Sequence, residues 1–248
     1  MKCYVVTPQY LINDHLEKLS SDAIDSFKKT DLIFISVDDA GTQGADMLKK
    51  KSDVYLKNKV NSGFAKTCNV GFKWVLENEK DDCYVVCANN DILVYDDWLE
   101  EFDKTLKQHN GDMIGGLGFK DKIVEGQPIE NYQKNPGSKY SSAYISEGGR
   151  LESWMFPGGF WLMKKSVLED VGLLDENFVH GGYEDIDFFL RCKWAGKRLL
   201  ITPRVAYWHE EGATRFGEQE AGRQAGAEIH NKDYCLKKHN FEPHENIL

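Results

Sequence analysis

Three polar clusters carry most of the chemistry that this chain can offer: Asp38-Asp39, Asn89-Asn90-Asp91 and Glu184-Asp185, with His209 as a fourth, isolated candidate. A carboxylate set among amide oxygens, as in Asn89-Asn90-Asp91, suits a hard divalent cation, which takes oxygen ligands and is often shared with a phosphate. Asp91 is therefore the candidate metal ligand. The same triplet also suits an ordinary turn, because Asn and Asp populate turns after strands. The position of each cluster relative to strands and helices separates these readings.

Cys83 to Ala88 is short, apolar and flanked by charge, the pattern of a parallel strand covered on both faces. Asn89-Asn90-Asp91 then lies at its carboxyl end, the edge where open α/β sheets bind ligands. Cys3 to Thr7 is a first strand, followed by a helix opening at Asp14-His-Leu-Glu17 with Leu16, Leu19, Ala23 and Phe27 at helical period. Leu32 to Val37 is a second strand and runs into Asp38-Asp39, while Val54 to Asn58 is a short third. Asn61-Ser-Gly63 turns into a helix carrying Ala65, Cys68, Phe72 and Val75 on one side. Asp96 or Asp97 caps the next helix, with Trp98, Phe102 and Leu106 inward. Strands separated by helices predict an α/β fold with a mostly parallel central sheet flanked by helices.

Met113 to Phe119 reads as another strand. Residues 120 to 150 are rich in Gly, Pro and Ser and are expected to form either a binding loop or lid or a disordered excursion. Phe156 to Met163 restores order, Ser166 to Glu169 reads as a capping box, and Gly172 stops that helix. A helix over about 184 to 195 places Ile186, Phe189, Leu190 and Trp194 inward. Leu199 to Tyr207 is the last strand and leads to Trp208-His209. The stretch from Gly217 to His239 reads as a polar helix with few anchors. Each cluster thus falls at a strand exit or helix entrance, and all can converge on one edge.

The 248 residues, 41% of them hydrophobic, can bury the core of one domain. No apolar run of about 18 residues exists, and the chain starts directly in a strand, so a cytoplasmic protein without a membrane span is expected. The six cysteines are scattered, as for reduced thiols. A net charge of −9 argues against gripping nucleic-acid backbone, but a phosphorylated small ligand remains compatible if a metal ion or a few local donors hold it. There is no G-x-x-x-x-G-K-[ST], and Gly115-Gly-Leu-Gly118 lacks the third glycine and following helix of a dinucleotide fingerprint.

The ordered set of blocks resembles the GT-A glycosyltransferases of family 2, inverting sugar-nucleotide enzymes, and among them the rhamnosyltransferase-like branch. The blocks are Val5-Val-Thr7, Val37-Asp-Asp-Ala-Gly-Thr42, Asn61 to Gly71, Asn89-Asn-Asp91, Gly159 to Lys165, Gly172 to Glu176, Tyr183-Glu-Asp-Ile-Asp187 with Arg191, and His209. The resemblance implies one GT-A domain over 1–248, with a nucleotide-binding half over about 1–112, an acceptor and catalytic half over about 113–211 and a helical tail over 212–248. It implies a nucleoside-diphosphate sugar as donor, a glycan or other hydroxyl-bearing acceptor, and Mn²⁺ or Mg²⁺ as cofactor. Thr7 and Asp38 match positions that hold base and ribose, with Asp39 as companion; Gly63, Lys66 and Asn69 match the segment around the nucleotide, which Asn90 adjoins. Asp91 matches the last acid of the D-x-D motif, where Asn89 stands in place of the first acid, and His209 matches a further metal or diphosphate ligand.

Asp185 matches the general base, and a helix entrance favours its ionised form. Glu184 could orient it or bind an acceptor hydroxyl. Asp187 and Arg191 read as a structural ion pair. Trp154 and Trp161 are candidates for stacking on sugar faces, with core packing expected for at least one. Two alternatives remain at this level: a catalytically silent sugar-nucleotide or glycan-binding module, and a transferase acting on modified nucleic-acid bases.

Overall fold

In the computed structural model of the chain, residues 1–95, 97–120, 151–153, 155–210, 212–213 and 221–240 are described, 221–225 by their backbone alone. The candidate loop over 120–150 falls outside them after Lys120, as do Trp154 and Asp96. In chain order the elements are β1 (Lys2–Gln9), α1 (Asp14–Phe27), β2 (Ile33–Asp38), α2 (Ala45–Lys51), β3 (Val54–Lys57), α3 (Phe64–Asn78), β4 (Cys83–Ala88) and β5 (Ile92–Val94). Then come α4 (Trp98–His109), β6 (Met113–Phe119), β7 (Glu152–Ser153), β8 (Phe160–Lys164), α5 (Lys165–Val171), α6 (Glu184–Trp194), β9 (Leu199–His209) and α7 (Ala221–Lys238).

Among the described residues the strands form one sheet in the order β3-β2-β1-β4-β8-β6-β9-β5, with β7 also against β9. The first four are parallel. The chain moves outward from β1 to β2 and β3, then returns to β4 on the other side of β1, which makes the crevice between β1 and β4 a switch point. The second half mixes directions: β8 runs antiparallel to β4 and β6, β6 is parallel to β9, and β5 is antiparallel to β9. The mixing matters for the site. An antiparallel β8 starts where β4 ends, with Phe160 opposite Ala88, and the β5–β9 pairing sets His209 opposite Ile92.

Period-two alternation explains why the central strands lie buried on both faces. Tyr4 and Val6 of β1, with Cys83, Val85 and Cys87 of β4, face a core completed by α3, α5, α6 and α7. Cys3, Val5, Tyr84, Val86 and Ala88 face the core of α1, α2 and α4. In that second core Phe160 meets Phe27, Trp98, Phe102 and Tyr207 at centroid distances of 5.2–5.6 Å. Truncating such a ring to alanine costs about 3–5 kcal/mol. All six cysteines are free and buried.

Several local expectations change. The N-cap of α1 is Asn13, whose Oδ1 accepts from Leu16 N–H at 2.9 Å, so the helix is capped one residue before Asp14. Asp97 precedes α4 in a left-handed conformation without a side-chain cap, and α5 begins at Lys165, which leaves Ser166 inside the helix. Trp194 is 62% exposed with its ring against His239, while Phe188 and Cys192 point inward.

The C-terminal helix is well anchored, contrary to its polar appearance. Ala227, Asn231, Cys235 and His239, spaced by four, are all buried. Buried Asp187 receives Lys238 at 2.6 Å and His239 at 2.8 Å on one oxygen and Arg191 at 2.9 Å on the other. Arg191 also donates to the carbonyls of Val171 and Leu173. Removing one member of a buried charge cluster costs about 3–5 kcal/mol. Anchors made of polar pairs leave no hydrophobic period in the sequence.

Asp175 forms a second clamp on α7, accepting from Tyr234 at 2.9 Å and pairing with Lys238 at 2.7 Å. Burial pushes its carboxyl up, but Lys238, the Asn177 N–H and Tyr234 outweigh burial and hold it at about 2. Its folded value thus lies below the ordinary value of about 4, so its contribution is present above pH 4 and lost as pH falls toward 2. Asp175→Asn should lower Tm by several degrees at pH 7, with the gap closing between about pH 4 and pH 2. Thermal melts across that range check this, and a gap of constant size contradicts it.

Candidate active site at the carboxyl edge of the sheet

The nucleotide side of the edge is built from the ends of β1 and β2. Thr7 is buried, and its hydroxyl has no hydrogen-bond partner among the described residues. Asp38 Oδ1 accepts from Gly41 N–H at 2.9 Å, while Oδ2 accepts from Tyr55 O–H at 2.6 Å and faces Lys57 Nζ at 3.1 Å. Burial, reinforced by Asp38, pushes the Tyr55 hydroxyl up and keeps it a donor.

Three residues matched to the nucleotide site also position backbone. Asp39 accepts from Asn58 at 2.8 Å and from the N–H groups of Ser62 and Gly63 at 2.8 and 3.0 Å, which fixes the turn into α3. Gly63 has φ +84°, and a Cβ there would lie 2.9 Å from His180 N. The next residue, Phe64, donates its N–H to His180 O at 2.7 Å. Asn69 donates both amide hydrogens, to Leu174 O and Glu176, and accepts from Leu174 N–H, so its carboxamide ties α3 to that turn. Lys66 is exposed on the first turn of α3.

The second cluster gathers at the end of β4. His209 Nε2 lies 3.2 Å from Asp91 Oδ1 and 3.3 Å from Asn89 Nδ2, with Asn90 buried between them in sequence. Among the described residues Asn89 Oδ1 is buried without a hydrogen-bond partner, whereas Asp91 Oδ1 has the His209 ring beside it. No group of three or more His, Cys, Asp or Glu side chains suited to a metal forms among the described residues. The set is instead one carboxylate, one imidazole and one carboxamide. Adjacent ligands of an octahedral cation with bonds of about 2.1 Å stand about 3 Å apart, so Asp91 Oδ1 and His209 Nε2 fit neighbouring positions around a divalent ion that takes oxygen and imidazole nitrogen, while Asn89 meets His209 through its Nδ2, which is no metal ligand. The buried Asn89 oxygen, without a hydrogen-bond partner among the described residues, supplies the observation in favour of that fit.

Glu184 and Asp185 open α6 behind Tyr183, a left-handed N-cap residue with φ 70°. Asp185 Oδ1 accepts from Ile186 N–H at 2.8 Å. Its Oδ2 reaches over Gly158, where an added Cβ would lie 1.8 Å away. The neighbouring Gly159 faces the other cluster: a Cβ there would lie 2.9 Å from His209 Cε1 and 3.4 Å from Asn89 Nδ2. Gly159 O accepts from Asn89 N–H at 2.8 Å, and Gly158 O from Trp161 Nε1 at 3.0 Å. Consecutive Cα atoms are 3.8 Å apart, so the Asp185 carboxylate and the His209 ring lie within about 12 Å of each other. Trp161 is fully buried against Phe72, Phe188 and Phe189, and so packs the core.

The structure therefore brings Asn89, Asp91, His209, Glu184 and Asp185 to one edge. Gly158 and Gly159 were missed as site residues, although the Pro157-Gly-Gly159 turn before an apolar strand was a readable signal of close backbone approach.

A sequence profile of glycosyl transferase family 2 matches residues 5–172, so Asp185 and His209 lie beyond the matched stretch. An uncharacterized glycosyltransferase, YfnE of Bacillus subtilis (strain 168), is 24% identical over 160 residues, which are 56% of this chain and 40% of that protein. The chain thus spans less than half the length of that relative. Among solved structures, S. aureus TarS 1-349 in complex with UDP has a TM-score of 0.59 at 16% identity, covering 96% of this chain and 70% of that one. GalNAc-T7 with UDP, GalNAc and Mn²⁺ has a TM-score of 0.64 at 12% identity, covering 97% and 50%. At these identities the likeness is one of fold. Among the described residues no helix is long and apolar enough to cross a membrane.

The two glycines separate the clusters experimentally. Gly159→Ala pushes on His209 and Asn89, so if their cluster holds a divalent cation the substitution should weaken Mn²⁺ binding about tenfold in calorimetry, the size of effect seen when groups supporting a ligand are disturbed. Gly158→Ala displaces Asp185 instead and should leave Mn²⁺ affinity within twofold of wild type. Equal affinities in the two variants would contradict the assignment.

Proposed function

Because this chain belongs to glycosyl transferase family 2, we propose that it transfers a sugar from a nucleoside-diphosphate sugar to an acceptor hydroxyl by single displacement with inversion at the anomeric carbon. The observation that carries this reading is the pair Gly158–Gly159, which sets the Asp185 carboxylate and the Asn89-Asp91-His209 cluster on adjacent residues of one turn. Such a transfer needs both at once. The attacking hydroxyl must lose a proton as the new bond forms, and the departing diphosphate must be neutralised as its negative charge grows.

Asp185 is the base in this account, held by its bond to Ile186 N–H with Oδ2 facing Gly158. Glu184 orients it or binds the acceptor hydroxyl. Asp91, Asn89 and His209 would hold a divalent cation, Mn²⁺ or Mg²⁺, which would supply charge neutralisation at the diphosphate. Thr7 and Asp38 border the base and ribose, Asn90 is a further nucleotide-binding residue, and exposed Lys66 offers a point charge for a phosphate. UDP and UDP-GlcNAc complexes of TarS support a uridine nucleotide as donor carrier. The ordered set of blocks taken together, and no one of them alone, carries the resemblance to the rhamnosyltransferase-like branch. A second reading, a silent sugar-nucleotide-binding module, rests on Asn89 standing where the motif has an acid.

Asp185→Asn keeps the shape of the side chain and removes the proton acceptor. Turnover should fall about 10²–10⁴-fold with donor affinity near wild type, and wild-type product should have inverted configuration by NMR. Normal turnover in the variant or a retained anomer contradicts the mechanism; absent turnover in the wild type across UDP-, dTDP- and GDP-sugars favours the silent module.

Asp91→Ala tests the cation separately. Calorimetry of UDP with Mn²⁺ and with EDTA should show tighter binding with metal in wild type and no difference in the variant. Equal wild-type affinities under the two conditions remove the cation from the account.

A further inference from the structure

The residues that enter α6 are held in an uncommon backbone shape. His180, Gly182 and Tyr183 have φ of 59°, 108° and 70°, all in the left-handed region, and two of them carry side chains. Such a run persists only where the surroundings over-determine it. One side chain does much of that work from far along the chain. Asn231 of α7 is fully buried, and its Oδ1 accepts from Val179 N–H at 2.9 Å. Its Nδ2 donates to Val179 O at 2.9 Å, Gly182 O at 3.0 Å and Gly181 O at 3.3 Å. A single carboxamide thus takes up four backbone groups of the segment that ends at the N-cap of the helix presenting Glu184 and Asp185.

We propose that Asn231 is a positioning residue for Asp185, setting through Val179–Gly182 the direction in which α6 delivers its carboxylate over Gly158. The proposal rests on the reading of Asp185 as the general base. It assigns α7 to the catalytic unit, a role that its burial pattern alone does not require. The opposite side of the segment is held by Phe64 N–H on His180 O and by the close approach of Gly63. The first turn of α3, matched to the nucleotide, and the base therefore share one strap, with Asn231 as its rear anchor. Small errors in placing a reacting group are costly, about 10²-fold for a displacement near 1 Å.

The test compares Asn231→Ala and the isosteric Asn231→Asp, which keeps side-chain size and the acceptor for Val179 but sets a carboxylate against the carbonyls of 179, 181 and 182. The first readout is hydrogen exchange of the amides from 179 to 186. It should quicken at least tenfold in either variant, while exchange in β4 stays as in wild type. The second is hydrolysis, with water as acceptor, of whichever UDP-, dTDP- or GDP-sugar the wild type turns over with Mn²⁺. kcat should fall about 10–100-fold with donor KM within threefold.

Asn231→Asp combined with Asp185→Asn should be no slower than Asp185→Asn alone, because a positioning effect has nothing left to position. Unchanged exchange at 179–186, or losses that multiply in the double variant, overturns the proposal while leaving Asp185 as base. If Asp185→Asn turns over like wild type, the base assignment falls, and a kcat loss in Asn231→Asp then also counts against the proposal. If Asn231→Ala does not fold, the Asp variant decides by the same criteria.

Discussion

Gly158 and Gly159 leave the carboxyl edge of the sheet bare of side chains at the point where two polar clusters have to meet. Any Cβ on Gly158 would overlap the Asp185 carboxylate, and one on Gly159 would press on His209 and Asn89. The rest of the architecture follows from delivering those groups to that turn. β8 must run antiparallel to β4 so that its start lies beside Asn89, and β5 must pair with β9 so that His209 comes beside Asp91. The mixed second half of the sheet is thus part of how the site is assembled.

The two halves of the site differ in what holds them. The cluster at Asn89, Asp91 and His209 stands on strand ends, whose positions the ladder fixes. Asp185 stands on a helix entered through a left-handed strap, so its position depends on side chains that saturate that backbone. Asp187 and Arg191 lock α6 to the Val171–Leu173 carbonyls, Lys238 and His239 lock it to α7, and Asn231 holds the strap itself. Burial pushes the His239 imidazole down despite Asp187 beside it, and its Nε2 donates to that carboxylate.

The sequence made the convergence of the polar clusters visible, because each follows a strand or opens a helix and the strand pattern is strong. It also carried the Asp187–Arg191 pair, which spacing alone reveals. The parts that could not be read are those whose partners lie far away in the chain. Asn69, which the resemblance matches to the nucleotide segment, has its carboxamide bonded to Leu174, 105 residues on, a partner no local pattern reveals. Asp39 likewise holds the turn at Ser62–Gly63. Asn231 gave no sign of importance because a polar residue in a polar helix is ordinary until its carbonyl partners are known. The stripe Ala227, Asn231, Cys235 and His239 was the available signal, hidden because only part of it is apolar.

The central claim is that the proposed cation cluster and the proposed base flank one space at this edge, and paramagnetic relaxation by Mn²⁺ reports on that directly. With UDP present and the backbone labelled with ¹⁵N, the account predicts Mn²⁺-dependent broadening of the amides of Gly158, Gly159, Asn89 and Ile186 together. The amides of Glu79 to Asp82, at the opposite edge of the sheet, should stay sharp. Broadening at Asn89 with sharp signals at Ile186, or broadening centred on the opposite edge, would contradict it.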